Sequence, residues 1–481
     1  MVFSSLFFLY AFLPAFLACY FLVPARGRNL VALAASLVFY VWGEPVFAAW
    51  LVGSSLFDFY LSLWLVRQPA AATGSRRAIL VMGLVVNLSA LVVCKYSGFL
   101  AAQLDLFLAW RGAGRLDWPA IALPIGISFF TFHKISYLVD IYRGTSRPTR
   151  SVFDYLLYIC LFPQLIAGPI IRFHDVEGQL RGRTHTLDKF LAGTWRFLLG
   201  LGRKVLIANP LGLVADKVFG HDLATLPLPY AWVGILCYTF QIYFDFAGYS
   251  DMAIGLARMM GFEFLENFNR PYTARSITEF WHRWHISLSN FMRDYLYIPL
   301  GGNRAGPWRT RWNLWVTFLL SGLWHGASWN FIFWGAYHGT LLSVEKGLGK
   351  ERLGRVPRWL AWPATFLLVL VGWVFFRADT LPHALGFLGR MTAWGSGAGT
   401  MPDPTFLWPD LITRRTVAAL LLAAITSFLP DAFWQRWGWD EAQPRTTGMA
   451  AVRTAAAAGL LLLASASLAS ASYNPFIYFR F

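Results

Sequence analysis

The sequence predicts an all-α, polytopic membrane protein of about eleven transmembrane helices, with re-entrant and interfacial amphipathic helices between them. Three observations lead there. Of 481 residues, 57% are hydrophobic and only 14% are charged, where a soluble domain carries about 25%. Long apolar runs recur from one end of the chain to the other, most of them near the length that crosses a ~30 Å hydrocarbon layer. The Lys and Arg residues behind the net charge of +16 gather in short loops between those runs. That is the positive-inside pattern of membrane proteins, and it gives no reason to expect nucleic acid as a partner.

In chain order, spans are expected at 3–23, 29–43, 46–66, 78–94, 120–142, 152–171, 230–260, 312–345, 358–376, 411–430 and 451–472. The first run has no basic flank before it and no small-residue cleavage site after it, so it reads as a retained span and not as a signal peptide. Arg26 and Arg28, then Arg67, Arg76 and Arg77, then Arg143, Arg147 and Arg150 fall in loops that the positive-inside rule assigns to the cytoplasm. The N-terminus is then periplasmic, and Glu44 and Pro45 form an external hairpin tip. Cys19, Cys94, Cys160 and Cys237 are scattered singly through apolar runs and read as small hydrophobes.

Several central spans carry Pro, Gly or charge: Pro124, Gly126, His133, Lys134, Pro163, Gly168, Pro169, Asp245 and Asp251. Broken or charged backbone at membrane depth survives only where it packs against protein or lines a wet cavity. Residues 120–345 are therefore expected to form a channelled core. The plainer helices of 1–119 and 346–481 are expected to wall it, the whole of 1–481 making one membrane-embedded domain. Residues 262–311 mix aromatics with Arg, Glu and Asp, too polar to span and too aromatic for a free loop. They predict one or two amphipathic helices at the membrane face or dipping into it. Ser276 with Glu279 forms a capping-box pattern that starts a helix before Trp281, and Pro299-Leu-Gly-Gly ends it. The Ala/Leu/Ser run at 454–472 reads as a small-residue span.

Four of the nine histidines fall between Thr278 and His338. His325 sits in Gly322-Leu-Trp-His-Gly326, with Trp329 and Asn330 just beyond. The flanking glycines allow another segment or a ligand to approach the imidazole. An imidazole with a free pKa near ~6.5 is suited to taking a proton at neutral pH; the alternative is a polar core residue bonded between helices. His282 and His285, at i and i+3, are placed on one helix face. Two histidines would need a third ligand to hold a metal, and only Glu279 lies at helical spacing, so no metal is expected. His282 reads as a snorkelling interfacial residue, and His285 as either functional or structural.

Arg293 and Asp294 either orient a polar substrate or pair at the interface. The His133-to-Asp140 run reads as packing with a buried ion pair. Asp245 and Asp251 read as helix-terminal or buried structural carboxylates. His174, His185, His221 and His383 are placed in loops. No G-x-S-x-G elbow, P-loop or G-x-G-x-x-G fingerprint is present, against a serine hydrolase, an ATP-driven pump or a dinucleotide enzyme.

The runs RWHISLSNFMRDYLYIPLGGNR, GLWHGASWNFIFWGAYHG, LPIGISFFTFHKISYLVDIYRG, LFPQLIAGPI, YTFQIYFDFAGYSDMAIG and the C-terminal PFIYFRF together resemble the membrane-bound O-acyltransferase (MBOAT) family, in its bacterial polysaccharide branch. They cover about half the chain. The resemblance implies that His325 matches the family's near-invariant catalytic histidine. It also implies that His285 matches a second functional position. Arg293, Asp294 and Trp324, inside the matched runs, are weaker substrate-binding candidates. It implies a ring of helices around a central tunnel, acetyl-CoA as a cytoplasmic donor with no bound cofactor, and a bacterial inner-membrane location among membrane lipids. It further implies periplasmic acetyltransferase partners that complete O-acetylation of an exopolysaccharide such as alginate. In the chemistry so implied, His325 is a general base, and His285 orients a reactant or stabilises the oxyanion. A covalent acyl-histidine relay is a variant. The rivals are a non-catalytic transporter or conduit for acyl groups or lipid-linked sugars, and a scaffold subunit.

Overall fold

The structure is a computed structural model that describes residues 1–393, 408–430, 433, 446–470 and 473–477. Every regular element among the described residues is helical. Tyr478 to Phe481 of the C-terminal run, and residues 471–472 at the end of the last expected span, lie outside the described residues. Two compact units are present: Met1–Phe190 with Leu256–Leu265, and Leu191–Gly255 with Glu266–Phe481.

The first unit contains α1 (Leu13–Leu22), α2 (Arg28–Val41), α3 (Pro45–Arg67), α4 (Thr73–Trp110), α5 (Ile127–Arg143), α6 (Val152–Cys160) and α7 (Phe173–Arg181). A π-helical turn, Phe8–Phe12, leads into α1. Pro45 opens α3 at a position where its missing N–H costs nothing. The span expected at 120–142 starts late, because Gly126 adopts φ 79° just before α5. Its side-chain position would collide with the carbonyl of Leu165. α5 is buried almost throughout, and its charge is neutralised locally: Lys134 Nζ lies 3.7 Å from Asp58 and donates to Ser54 Oγ at 2.6 Å. Asn87 donates to the same Asp58 at 2.8 Å. The buried ion pair expected in the His133-to-Asp140 run is thus formed by Lys134. Asp140, at the other end, meets His174 of α7 at 2.8 Å.

One long helix, α8 (Leu187–Phe219), was not among the expected spans, yet it is apolar and long enough to cross a membrane. It carries a π-helical turn at Arg203–Ala208. From Leu191 it belongs to the second unit, where it crosses α9 (Leu228–Met259) on glycines. A Cβ on Gly200 would meet the Gly248 carbonyl at 2.5 Å, and one on Gly255 the Gly193 carbonyl at 2.6 Å. Each helix places its two glycines seven residues, about two turns, apart and so on one face. The charges of α8 pair across this seam: Arg196 with Asp251 at 2.7 Å, Lys204 with Asp245 at 2.6 Å. Asp245 and Asp251 are therefore buried in mid-helix and not at helix ends.

The second unit continues with α10 (Ile277–Arg283), α11 (Ile286–Met292), α12 (Gly306–His325), α13 (Trp329–Gly354), α14 (Arg358–Arg377), α15 (Leu381–Thr392), α16 (Arg414–Phe428) and α17 (Thr447–Ser470). The span expected at 312–345 is two helices, α12 and α13, folded back on each other at Gly326-Ala-Ser. Gly322 and Gly335 permit that hairpin: a side chain on either would collide with a carbonyl of the facing helix, Phe331 or Phe318. Among the described residues, five helices are long and apolar enough to cross a membrane: α3, α4, α8, α14 and α17. Of the histidines placed in loops, His174 lies on α7 and His383 on α15. Cys160 and Cys237 are buried, Cys94 is half-buried and Cys19 faces outward; all four are free thiols.

Candidate active site

The aromatic segment before α12 does not fold as one helix. Ser276 caps α10, accepting from Glu279 N–H at 3.0 Å. Glu279 turns its carboxylate to the amide of Arg275 and not back to Ser276. The carboxylate of Glu345 on α13 accepts from the amides of Ile277 and Thr278, at 2.6 and 2.8 Å, at the positive end of α10. α10 then stops at Arg283. Trp284 is extended and His285 turns into the left-handed region, φ 44°, before α11 begins. Only His285 and Arg270 among described non-glycine residues have positive φ. His282 and His285 therefore do not share a helix face. His282 is exposed and lines a large cavity, while His285 is buried.

The strained turn is held by Asn267. Its carbonyl accepts from Ile286 N–H at 2.9 Å. Its Oδ1 lies 3.1 Å from His285 Nδ1 and accepts from Ser287 Oγ at 2.8 Å. Asn267 Nδ2 donates to Ser250 Oγ at 3.0 Å, which anchors the asparagine to α9. Such a backbone conformation costs about 1–3 kcal/mol and persists only where the surroundings over-determine it. The His285 ring packs edge-on to Phe246, centroids 4.6 Å apart.

His325 is the last residue of α12 and is 5% exposed. Three rings box it: Trp324 at 4.8 Å, Trp334 at 5.1 Å and Phe376 at 5.0 Å. Trp324, itself buried, also lies 6.3 Å from His285, so one indole stands beside both imidazoles. The glycines around His325 serve packing: a side chain at Gly326 would overlap the Phe331 ring. The imidazole nevertheless borders a cavity of about 10 Å³, lined also by Ile242, Phe246, Trp284 and Ile477. That is room for about one water molecule.

A second, much larger cavity, about 1020 Å³, opens between α10, α11, α12 and α13. Arg275, Arg293, Lys346 and Arg358 give it a basic rim, and Trp281 and Phe318 form part of its wall. Behind that wall lies His338, 1% exposed, whose Nδ1 accepts from Trp281 Nε1 at 3.4 Å. The far face of His338 meets Trp334, 5.0 Å away, the same ring that boxes His325. Arg293 and Asp294 bind each other at 2.7 Å on the exposed side of this cavity. Among the described residues, no three His, Cys, Asp or Glu side chains converge as metal ligands. Asn267, His338 and Ile477, to which the sequence alone assigned no role, lie against His285, Trp334 and the His325 cavity in turn.

Among the described residues the chain is all-helical, with one buried histidine at a helix end, a second in a strained turn, and apolar helices of membrane-spanning length. Residues 127–377 match the MBOAT, membrane-bound O-acyltransferase family, and the chain belongs to it. Over all of its length and all of theirs, it is 44% identical to Probable alginate O-acetylase AlgI of Pseudomonas putida and 42% identical to that of Azotobacter vinelandii. It is 37% identical to the Peptidoglycan O-acetyltransferase of Helicobacter pylori, across 81% of this chain and 80% of that one.

Proposed function

We propose that this chain takes acetyl groups from acetyl-CoA on the cytoplasmic side of the bacterial inner membrane. It passes them to an acceptor hydroxyl, periplasmic acetyltransferase partners completing O-acetylation of a polysaccharide, alginate being the first choice. The relatives' names support the acetyl group and the polysaccharide; the basic loops support the sidedness, with a periplasmic N-terminus. About eleven crossing segments and a passage leading to His325, in a single membrane-embedded domain, belong to the same reading.

One observation carries it: a buried imidazole at the end of α12, boxed by Trp324, Trp334 and Phe376, bordering a small apolar cavity. In the reaction His325 takes the proton of the acceptor hydroxyl as its oxygen attacks the thioester carbonyl. The C–O ester bond forms, the C–S bond breaks, and the proton passes to the departing sulfur. His285 orients a reactant or stabilises the charge on the carbonyl oxygen. Trp324 fixes the spacing of the two rings. The large basic-rimmed cavity, with Arg293 held by Asp294, receives the anionic end of the donor. The aromatic wall keeps water from the thioester.

The test is thioester cleavage and acetyl transfer by the purified full-length protein in proteoliposomes. His325→Ala is expected to lose about 10²–10⁴-fold in rate, the scale of a general base, with unchanged elution from detergent. An unchanged rate removes His325 from the chemistry. A wild-type protein that leaves the acetyl-CoA thioester intact performs no transfer itself, and the enzyme assignment of these residues fails.

A further inference from the structure

The last described residues, Tyr473–Ile477, run through the interior of the second unit as a strap. Each of its five residues makes a contact with the surrounding helices. Tyr473 OH donates to Asp216 Oδ2 at 2.6 Å. Asn474 Oδ1 accepts from Asn209 Nδ2 at 3.2 Å. The Pro475 carbonyl accepts from Lys204 Nζ. The Phe476 ring stacks on Tyr249 with centroids 4.6 Å apart. Ile477 N–H donates to Asp245 Oδ2 at 2.7 Å. Lys204 and Asp245 are themselves paired at 2.6 Å and are 3% and 2% exposed. A buried ion pair is a weak source of stability, because taking two charges out of water costs about as much as their attraction returns. Here both members of the pair hold the backbone of the strap.

What the strap delivers is the Ile477 side chain. It is 4% exposed and lines the same ~10 Å³ cavity that His325 borders. Five of that cavity's walls are the aromatic rings of Phe246, Trp284, Trp334, Trp373 and Phe376. Ile242 and Ile477 are the aliphatic walls, and only Ile477 comes from the strap. The space left is that of about one water molecule, close to one methyl group. An acyl group longer than two carbons, presented at His325, would need the volume that Ile477 fills.

We propose that Ile477 is a specificity-determining residue: it closes the acyl pocket beside His325 and restricts the transferred group to acetyl. The inference rests on His325 being the base. Apolar pockets discriminate by excluded volume, and one methylene changes selectivity by about 10–200-fold. Removing three side-chain carbons at Ile477 opens room for a butyryl tail, and removing one opens room for part of it.

The experiment uses full-length protein in proteoliposomes, with acetyl-CoA, propionyl-CoA and butyryl-CoA as donors, and reads the ratios of kcat/KM. Ile477→Ala is expected to raise the butyryl-to-acetyl ratio at least about tenfold. Ile477→Val, which disturbs packing least, is expected to raise the propionyl-to-acetyl ratio by a smaller factor. Ratios are insensitive to a loss of folded protein, so a partly misfolded Ile477→Ala still reports. Unchanged ratios in both variants, with His325→Ala inactive, overturn the pocket wall alone. Acetyl transfer surviving in His325→Ala overturns the base assignment and the pocket wall with it.

Discussion

Asn267 grips His285 from two directions, with its side-chain oxygen 3.1 Å from the imidazole Nδ1 and its backbone oxygen 2.9 Å from the amide that follows the histidine. A ring so held presents its other nitrogen in one direction only. Replacing Asn267 with Ala leaves the Ser287 hydroxyl and the imidazole without their shared acceptor, and a buried polar group without its partner costs about 1–3 kcal/mol. Asn267→Ala is therefore expected to lower transfer by one to two orders of magnitude while the protein still purifies as a folded species. Asn267→Asp, which keeps the acceptor, is expected to retain more activity than Asn267→Ala. Equal activity in the two variants would show that the acceptor does not position His285.

Backbone strain gives a second handle on the same residue. At φ 44° a non-glycine residue pays about 1–2 kcal/mol that glycine does not. His285→Gly relieves the strain and removes the imidazole; His285→Ala keeps the strain and removes the imidazole. If His285 acts in the chemistry, both variants are severely impaired, and the glycine variant melts at the higher temperature. A glycine variant with near-normal transfer would assign the histidine to the fold alone.

This strained turn marks where sequence reading stopped. Nothing in RWHISLSN contains Gly or Pro to announce a break, and the apolar spacing of Trp281, Trp284 and Leu288 continues a helix. The break is imposed from Asn267, eighteen residues upstream, a tertiary cause that local pattern does not carry. α8 was missed for a related reason. Asp188, Arg196, Arg203, Lys204, Asp216 and Lys217 interrupt its hydropathy, and the partners that neutralise Arg196 and Lys204 lie on α9. Asp245 and Asp251 were visible as buried carboxylates, but which cations they served was not. His325 stood out because an ionisable side chain inside an apolar run is costly at membrane depth, whereas Trp324 was singled out only by the family resemblance.

His174 offers a pH test in the first unit. Its Nδ1 lies 2.8 Å from the buried Asp140, and that hydrogen bond raises the imidazole above its usual 6.5 against the opposing effect of partial burial. A group whose folded pKa is raised adds stability that is fully present below the unfolded value, about 6.5, and is lost as pH climbs through the folded one. The melting temperatures of the wild type and His174→Gln should therefore differ most near pH 5.5 and converge toward pH 8.5. The ring is a third exposed, so the gap is a modest one. A gap that stays constant across that range would show that the pair does not titrate with folding.

The Lys204–Asp245 pair allows stability and positioning to be separated. Breaking a buried pair by removing one charge strands the other, at about 3–5 kcal/mol, whereas replacing both with apolar residues of similar size is often neutral or stabilising. Asp245→Leu alone leaves Lys204 buried beside an apolar side chain and is expected to lower thermal stability sharply. Lys204→Met with Asp245→Leu is expected to recover the melting temperature. The double variant still lacks the carboxylate that accepts the Ile477 amide and the ammonium that donates to the Pro475 carbonyl. It should therefore be stable and yet impaired, because the strap is no longer fixed against the His325 cavity. If the double variant regains both stability and full transfer, the pair serves the fold only, and the strap finds its place without it.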